Sequence, residues 1–379
     1  MKVALVHDWL TGMRGGAKVL LELVRLLPEA DLYTLLWNRG SVAPEIEAQV
    51  RGTTFLQNLP RSSSAYRYYL PLFPAAIRSL DLGGYDVILS SSHAVAKSVR
   101  VPEGAVHVSY VHTPMRYLWD MGADYFQFGQ GRWWKRAALA LVAPALRGFD
   151  RRTAAGVNFF IANSANVRER IRRVYGAEAQ VIHPPVDTDF FTPSLDRPGD
   201  YYLVVSSLEP YKRVDLAVEA FSGGPRQLLV AGSGTLEAEL RARAKPPVEF
   251  LGAVSDERLR NLYQNCRALI FPAREDFGIV AVEAQACGRP VVCYGQGGAT
   301  ESVVDGRTGV HFHEQNATAL LDGVGRLERS EWDAGAIRRH SLEFSQPRFR
   351  ERMKSFLRAV VPGVWSFDEH GSRNPAGHL

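Results

Sequence analysis

The sequence predicts an α/β protein of two Rossmann-like domains facing each other across a cleft. Three observations predict it. Short apolar runs alternate with helix-like segments along most of the 379 residues, as parallel sheets require. A weakly periodic stretch at 183–199 carries four prolines and divides the alternation into two series. The chain is also long enough for two hydrophobic cores rather than one.

The elements follow in order. The first strand is expected at 2–7, followed by a loop at 8–16 and a helix at 17–27. Further strands are expected at 86–90, 106–111, 159–163 and 181–182. After a linker at 186–199 a second series begins. It reads strand 201–206, helix 214–221, strand 227–231, helix 236–244, strand 248–251, helix 256–266 and strand 268–272. A helix over 277–287 ends at Gly288, a natural left-handed stop, and Pro290 opens the next strand. Residues 349–361 read as a final amphipathic helix. These elements set a first domain over 1–185 and a second over 200–345. A closing segment, 346–361, packs back on the first domain, and a poorly ordered tail fills 362–379.

Composition narrows the class. An apolar fraction of 46% suits a soluble globular protein. No leader is evident, because the apolar stretch 3–6 is short and runs into His7-Asp8. No window approaches 18 uninterrupted apolar residues, so no membrane span is expected. Cys266, Cys287 and Cys293 have no metal-ligand spacing and are too few for a disulfide framework. A reducing cytosol fits that count. Residues 132–152 hold Arg132, Lys135, Arg136, Arg147, Arg151 and Arg152 against Asp150 alone, an excess equal to the whole-chain charge of +5. With Trp133-Trp134 and an apolar run alongside, the segment reads as a surface resting on anionic lipid. The alternative is a core helix with a solvated basic end. No nucleic-acid motif is present.

The most informative element is Arg-Glu-Asp-Phe-Gly-Ile-Val-Ala-Val-Glu-Ala at 274–284, in which seven residues separate Glu275 from Glu283. Glu275 lies in the loop at the carboxyl end of a strand. Glu283 falls about two turns into the helix that follows. The amides of Phe277, Gly278 and Ile279 open that helix and are free to bind an electronegative ligand. Two carboxylates so placed can hold two ends of a polyhydroxylated ligand such as a nucleotide sugar. The alternative is a capping acid followed by a solvated helix residue.

Other positions could carry chemistry. Gly15-Gly16, between the first strand and first helix, lets backbone approach a phosphate, or simply turns the chain. Lys212 and Arg213 follow the first strand of the second domain and could neutralise a diphosphate, or be a solvated loop pair. Gly232-Ser-Gly234 closes a strand as a turn, or passes the ligand's base or ribose. His112 at a strand end can position a sugar hydroxyl, and Asp8 could act as a base; either could equally be structural.

Taken together, these residues resemble a retaining glycosyltransferase of the family-four type, with the two-domain GT-B fold, over roughly residues 1–360. The second-domain motifs are Ser-Ser-Leu-Glu-Pro-Tyr-Lys-Arg-Val-Asp, Leu-Gly-Ala-Val-Ser-Asp-Glu-Arg-Leu and Phe-Pro-Ala-Arg-Glu-Asp-Phe-Gly-Ile-Val-Ala-Val-Glu-Ala. The amino end, His-Asp-Trp-Leu-Thr-Gly-Met-Arg-Gly-Gly-Ala-Lys-Val-Leu, is similar to bacterial GDP-mannose-dependent mannosyltransferases of polysaccharide and O-antigen assembly. So are Ser-Ser-Ser-His-Ala-Val-Ala-Lys and His-Thr-Pro-Met-Arg-Tyr-Leu-Trp-Asp.

The resemblance implies that Glu275 contacts the donor sugar beside the amides of Phe277, Gly278 and Ile279, and that Glu283 binds the ribose. Lys212, with Arg213 beside it, would hold the diphosphate. Gly15 and Gly16 would approach it from the acceptor-side domain, and His112 would sit near the reacting sugar. It further implies GDP-mannose as donor, no metal or other cofactor, and a glycan acceptor linked to a polyprenyl diphosphate. The protein would then act in the cytoplasm, peripheral to the inner face of the cytoplasmic membrane, in cell-surface polysaccharide or lipopolysaccharide synthesis. Ser207 departs from the pattern, since relatives usually carry arginine there. A UDP-sugar donor, an inverting transferase with Asp8 as base, a nucleotide-sugar epimerase and an inactive sugar-nucleotide-binding partner stay open beside this reading.

Overall fold

A computed structural model describes residues 1–119, 133–194 and 199–363. Two parallel sheets organise them. The first contains β1 (Val3–His7), β2 (Asp31–Thr34), β3 (Val50–Thr53), β4 (Val87–Ser92), β5 (Val106–Val111), β6 (Phe159–Ala162) and β7 (Ala179–Val181). The second contains β8 (Tyr201–Val205), β9 (Gln227–Ala231), β10 (Val248–Gly252), β11 (Ala268–Phe271), β12 (Val291–Tyr294) and β13 (Gly309–Phe312). The orders are β3-β2-β1-β4-β5-β6-β7 and β10-β9-β8-β11-β12-β13. Each order reverses direction once, between β1 and β4 and between β8 and β11. Such switch points open a crevice at the carboxyl ends of the strands.

The central strands are those that their apolar runs foretell. They are covered on both faces, so several read as continuous rather than alternating, while β4 and β5 bury serines and a histidine as well. In β11, Ala268, Leu269, Ile270 and Phe271 are all buried. Strands β2, β3 and β13 have four residues each, and β3 is Val-Arg-Gly-Thr at a sheet edge, too short and too polar for pattern alone. Strand β7 runs from Ala179, two residues before its expected start, because its register is set by pairing Phe160 with Ala179.

Two helix starts differ from expectation and bear on the site. The first helix spans Gly15–Leu26, so the glycine pair is its first turn rather than the end of a loop. The helix expected from Phe277 spans Ile279–Ala286 instead. Gly278 precedes it at φ +90, and a Cβ there would lie 2.8 Å from Cζ of Phe271. Glu283 is therefore little more than one turn into its helix. It is also buried rather than solvated.

The closing helix, Gln346–Val360, places Phe349, Met353 and Leu357 in the cluster that holds Leu5 and Leu89 of the first sheet and Leu20 and Leu23 of the Gly15–Leu26 helix. Arg350 pairs with the buried Glu22 of the Gly15–Leu26 helix. The two passages of the chain between the sheets lie side by side. Val186 bridges Ser345, its amide donates to the Phe344 carbonyl at 2.9 Å, and its own carbonyl accepts from the Gln346 amide at 3.2 Å.

The basic segment forms the helix Trp133–Ala154. Arg132 and the side chains of Trp133, Trp134, Lys135 and Arg136 lie outside the described residues, as does most of the tail from 362. Two basic residues of the expected lipid-facing set are engaged within the protein. Arg147 and Arg151 lie over the Trp119 ring at 5.6 and 4.6 Å and donate to the carbonyls of Leu118 and Val174. The end of this helix is anchored by a buried pair, Lys97 Nζ to Asp150 at 2.9 Å. Among the described residues no helix is long and apolar enough to cross a membrane.

Candidate active site

The site lies where the two switch points face each other. From the first sheet come the carboxyl ends of β1, β4 and β5, and with them His7, Ser91, His93 and His112. Ser91 Oγ is 3.0 Å from His7 Nδ1 and 2.8 Å from His112 Nε2. One hydroxyl proton thus links two rings: one ring accepts from the serine and the other donates to it. His93 stands 5.6 Å from His7 and 6.1 Å from His112 between ring centres. Burial lowers all three: His7 to about 3 and His112 well below its ordinary value, with neighbouring histidines adding in the same direction, and His93 against the opposing pull of the Asp8 carboxylate 3.2 Å from its Nδ1. The cluster is therefore neutral at physiological pH. It can donate and accept hydrogen bonds but brings no charge to the cleft.

Asp8, beside this cluster, is fully buried. Its Oδ2 accepts from the amides of His93 and Ala94 at 2.6 and 2.8 Å, and its Oδ1 from those of Val95 and Ala96 at 2.7 Å each. Both oxygens are saturated by backbone donors. A general base needs a free lone pair in reach of substrate, so the reading of Asp8 as a base is corrected. It is the fixture that holds the turn after β4.

The glycine pair meets both domains. A Cβ on Gly15 would lie 3.2 Å from Cδ1 of Ile279 on the opposite helix. One on Gly16 would lie 3.6 Å from His7 and 3.7 Å from His112 Nε2. The first turns of the Gly15–Leu26 and Ile279–Ala286 helices are therefore in contact, with the histidines alongside.

From the second sheet come Lys212 and Glu275. Lys212 closes the short turn Pro210–Lys212 after β8, and its ammonium meets Glu275 Oε1 at 2.5 Å. Both side chains are 16% exposed, so the pair is sheltered but reachable. Arg213 does not join it. At φ 52 it turns back to Asp215 and Gln315 of its own domain, at 3.2 Å each. Ser207 lies in the loop between β8 and that turn, and its carbonyl accepts from Ser206 Oγ at 3.0 Å. The Gly232–Gly234 turn supports that loop. A Cβ on Gly232 would fall 1.9 Å from the Ser206 carbonyl, and one on Gly234 2.5 Å from that of Leu208. Close backbone approach explains both glycines.

Phe277 divides its role. Its amide precedes the helix, but its ring is buried with Val186, Val282 and Phe344 and stacks on His183 at 5.3 Å. The side chain belongs to the hinge, not the cleft. Gly278→Ala should cost about 2–4 kcal/mol, the sum of a left-handed backbone carrying a Cβ and a collision with Phe271. Urea unfolding measures it, and a loss under about 0.5 kcal/mol would mean that the turn relaxes.

Several residues at the cleft were not singled out by sequence. Lys18, one turn into the first helix, reaches Glu283 Oε1 across the cleft at 2.7 Å, and Tyr263 donates to Glu283 Oε2 at 3.0 Å. Asp276, next to Glu275, accepts from Arg116 at 2.7 Å and from Arg170 at 2.6 Å, both on the first domain. Burial would raise its pKa, but the two guanidinium groups outweigh that and hold it below the usual carboxylate range. Glu301 caps the helix Ala165–Tyr175 from the other domain, accepting from the amides of Ala165 and Asn166 at 2.7 and 3.0 Å. The cleft is thus closed by carboxylates of the second domain on cations and amides of the first. The one local signal for Asp276 was its place beside Glu275. Among the described residues no group of three or more histidines, cysteines or acids is placed to hold a metal ion.

Comparison with known proteins agrees with this architecture. Residues 13–190 match the family described as Glycosyltransferase Family 4, and residues 186–343 that described as Glycosyl transferases group 1. The D-inositol 3-phosphate glycosyltransferase of Acidothermus cellulolyticus is 30% identical over 308 residues, which are 69% of this chain and 64% of that protein. Its namesake from Mycobacteroides abscessus is 31% identical over 210 residues, 48% of this chain and 47% of its own length. The chain thus spans between about half and two thirds of these relatives. Among solved structures, Anabaena Alr3699/HepE in complex with UDP and glucose superposes with a TM-score of 0.68 at 18% identity, covering 95% of this chain and 100% of that one. The fold is therefore GT-B.

Proposed function

Because the chain carries a Family 4 glycosyltransferase domain followed by a group 1 domain, we propose that it moves a hexose from a nucleoside-diphosphate sugar to a glycan acceptor with retention of configuration. The observation that carries the reading is the pair of carboxylates, Glu275 and Glu283, each facing a lysine where the two switch points meet. Lys212 and the amides of Phe277, Gly278 and Ile279 stabilise the charge that grows on the diphosphate as the sugar leaves. Glu275 orients the donor sugar, and Glu283 takes the ribose hydroxyls. His112, neutral and fixed through Ser91, holds a sugar hydroxyl. The acceptor attacks on the face the diphosphate leaves, and a diphosphate oxygen takes its proton. No protein nucleophile or base is then needed, in keeping with the saturated carboxylate of Asp8. Closure of the two domains excludes water and limits donor hydrolysis.

GDP-mannose is the donor we propose, on the motifs of the amino end. The acceptor is a glycan on a polyprenyl diphosphate at the inner membrane face. Leu141, 82% exposed on the Trp133–Ala154 helix, supports a lipid-facing surface there. A UDP-hexose donor is the second reading, favoured by the HepE complex with UDP and glucose.

Thermal unfolding with GDP, GDP-mannose, UDP and UDP-glucose separates them. A ligand at a hundred times its dissociation constant adds about 2.7 kcal/mol to the folded state, a visible rise in midpoint. Stabilisation by the guanine pair alone supports the mannosyl donor. Stabilisation by the uracil pair alone replaces it, and no stabilisation by any of the four overturns the reading. NMR of the product anomer then tests retention.

A further inference from the structure

Two lysines face the cleft from opposite domains, and each is held by one acid of the Glu275–Glu283 motif. Lys212 and Glu275 belong to the same domain, whereas Lys18 and Glu283 do not. Glu283 cannot leave its place: its side chain is 3% exposed and its Oε2 is fixed by the Tyr263 hydroxyl. Lys18 can leave, since its side chain is 37% exposed and flexible. Its helix begins in contact with the opposite helix at Gly15 and Ile279. Three residues, about 4.5 Å of rise, lie between that contact and the lysine, within reach of its four-carbon stem.

We propose that Lys18 is a phosphate-binding residue supplied by the first domain. It is released from Glu283 when a nucleotide's ribose takes its place. The inference rests on the nucleotide-sugar reading above and assigns a new residue within that site. The exchange leaves no group unpaired. Ribose hydroxyls donate to Glu283 Oε1 in place of the ammonium, and phosphate oxygens accept from the ammonium in place of the carboxylate. One ligand thus supplies both replacements, and a ligand lacking either half does not. Without nucleotide, the Lys18–Glu283 pair neutralises two charges that would otherwise oppose closure. With nucleotide, the cation that held the empty cleft shut grips the ligand instead. Lys18 also brings a second cation to a diphosphate that would otherwise meet Lys212 alone, since Arg213 is turned to Asp215 and Gln315.

Titration calorimetry on the full chain tests the exchange, using GDP and UDP with guanosine and uridine as probes. For the base that wild type binds, Lys18→Gln should weaken the diphosphate by roughly tenfold or more, the worth of one charge-assisted contact. The nucleoside should bind as well as before or more tightly, because Glu283 Oε1 is no longer occupied by a cation. Lys18→Arg should keep most of the diphosphate affinity. The salt dependence of diphosphate binding should flatten in Lys18→Gln. A strut that merely holds the domains together would lose nucleoside and diphosphate affinity equally, and that result overturns the proposal, as does no loss of either. Lys18→Met, which keeps the stem, carries the comparison if Lys18→Gln fails to fold. A wild-type chain that binds none of the four probes overturns the functional reading itself, whereas wild-type binding that Lys18→Gln leaves untouched overturns only the role of the lysine.

Discussion

Glu275→Ala should leave a folded chain that has lost most of its turnover, by roughly a hundredfold to a thousandfold, the usual worth of one group aimed at the transition state. The expectation follows from where the side chain sits. It is 16% exposed at the carboxyl end of β11 and contacts Lys212, a group we assign to the diphosphate. Removing it also frees Lys212 to wander from the position in which it meets developing charge. The fold has little stake in the carboxylate. The turn that carries it is held by the backbone, the Gly298 amide donating to the Glu275 carbonyl at 2.8 Å, and alanine preserves that bond. Rates of sugar transfer measured beside the thermal midpoint decide the matter. A variant that turns over like wild type removes Glu275 from the site. One that unfolds some 10 °C early makes it a structural residue.

Asp8→Asn should do the opposite, with the larger cost in stability. An amide side chain offers one acceptor oxygen where the carboxylate offers two. Two of the four amides from His93 to Ala96 would then face an NH₂ group, donor against donor, around a side chain buried from solvent. Each buried donor left without a partner costs about 1–3 kcal/mol, so a loss of about 3–5 kcal/mol is expected, a large part of a typical domain's stability. Urea unfolding reads it directly. The loss would strike the turn bearing His93, and through it the histidine cluster, so turnover would fall as well. The two effects are separable by dose: activity should track the folded fraction. An Asp8→Asn protein that stays stable yet loses its turnover would restore the carboxylate to the chemistry and revive the inverting reading.

Much of the architecture was legible because local pattern reports burial on both faces. Strands β1, β8, β9 and β11 are mostly apolar runs bracketed by turn residues, and β5 is a longer valine-rich segment, Val-His-Val-Ser-Tyr-Val. Strands β2, β3 and β13 escaped because four residues, some of them polar, do not make a run. The acids of the motif could be seen, since they lie on one element with a fixed spacing. Their partners could not. Lys18 and Glu283 are 265 positions apart, and Arg170 and Asp276 are 106 apart. Only the docking of one sheet against another brings such residues together, and no periodicity encodes that docking. Arg213 illustrates the converse. Its neighbour Lys212 makes it look like a second cation for the cleft, but a left-handed backbone turns it to Asp215 two residues on. Phe277 does the same within the motif, sending its ring to the hinge while its amide stays at the helix start.

The passages at Val186 and Ser345 have a consequence for how the molecule is put together. The chain leaves the first sheet at one point and returns at the same point, and the returning helix supplies Phe349, Met353 and Leu357 to the core it left. In connectivity the second unit is a guest, housed in a single opening of a host whose last wall is made only after the guest is complete. During synthesis the host's core therefore stays unfinished until the ribosome has passed Leu357. The chain crosses between the two units only at this paired seam, where relative rotation can occur without either core being remade.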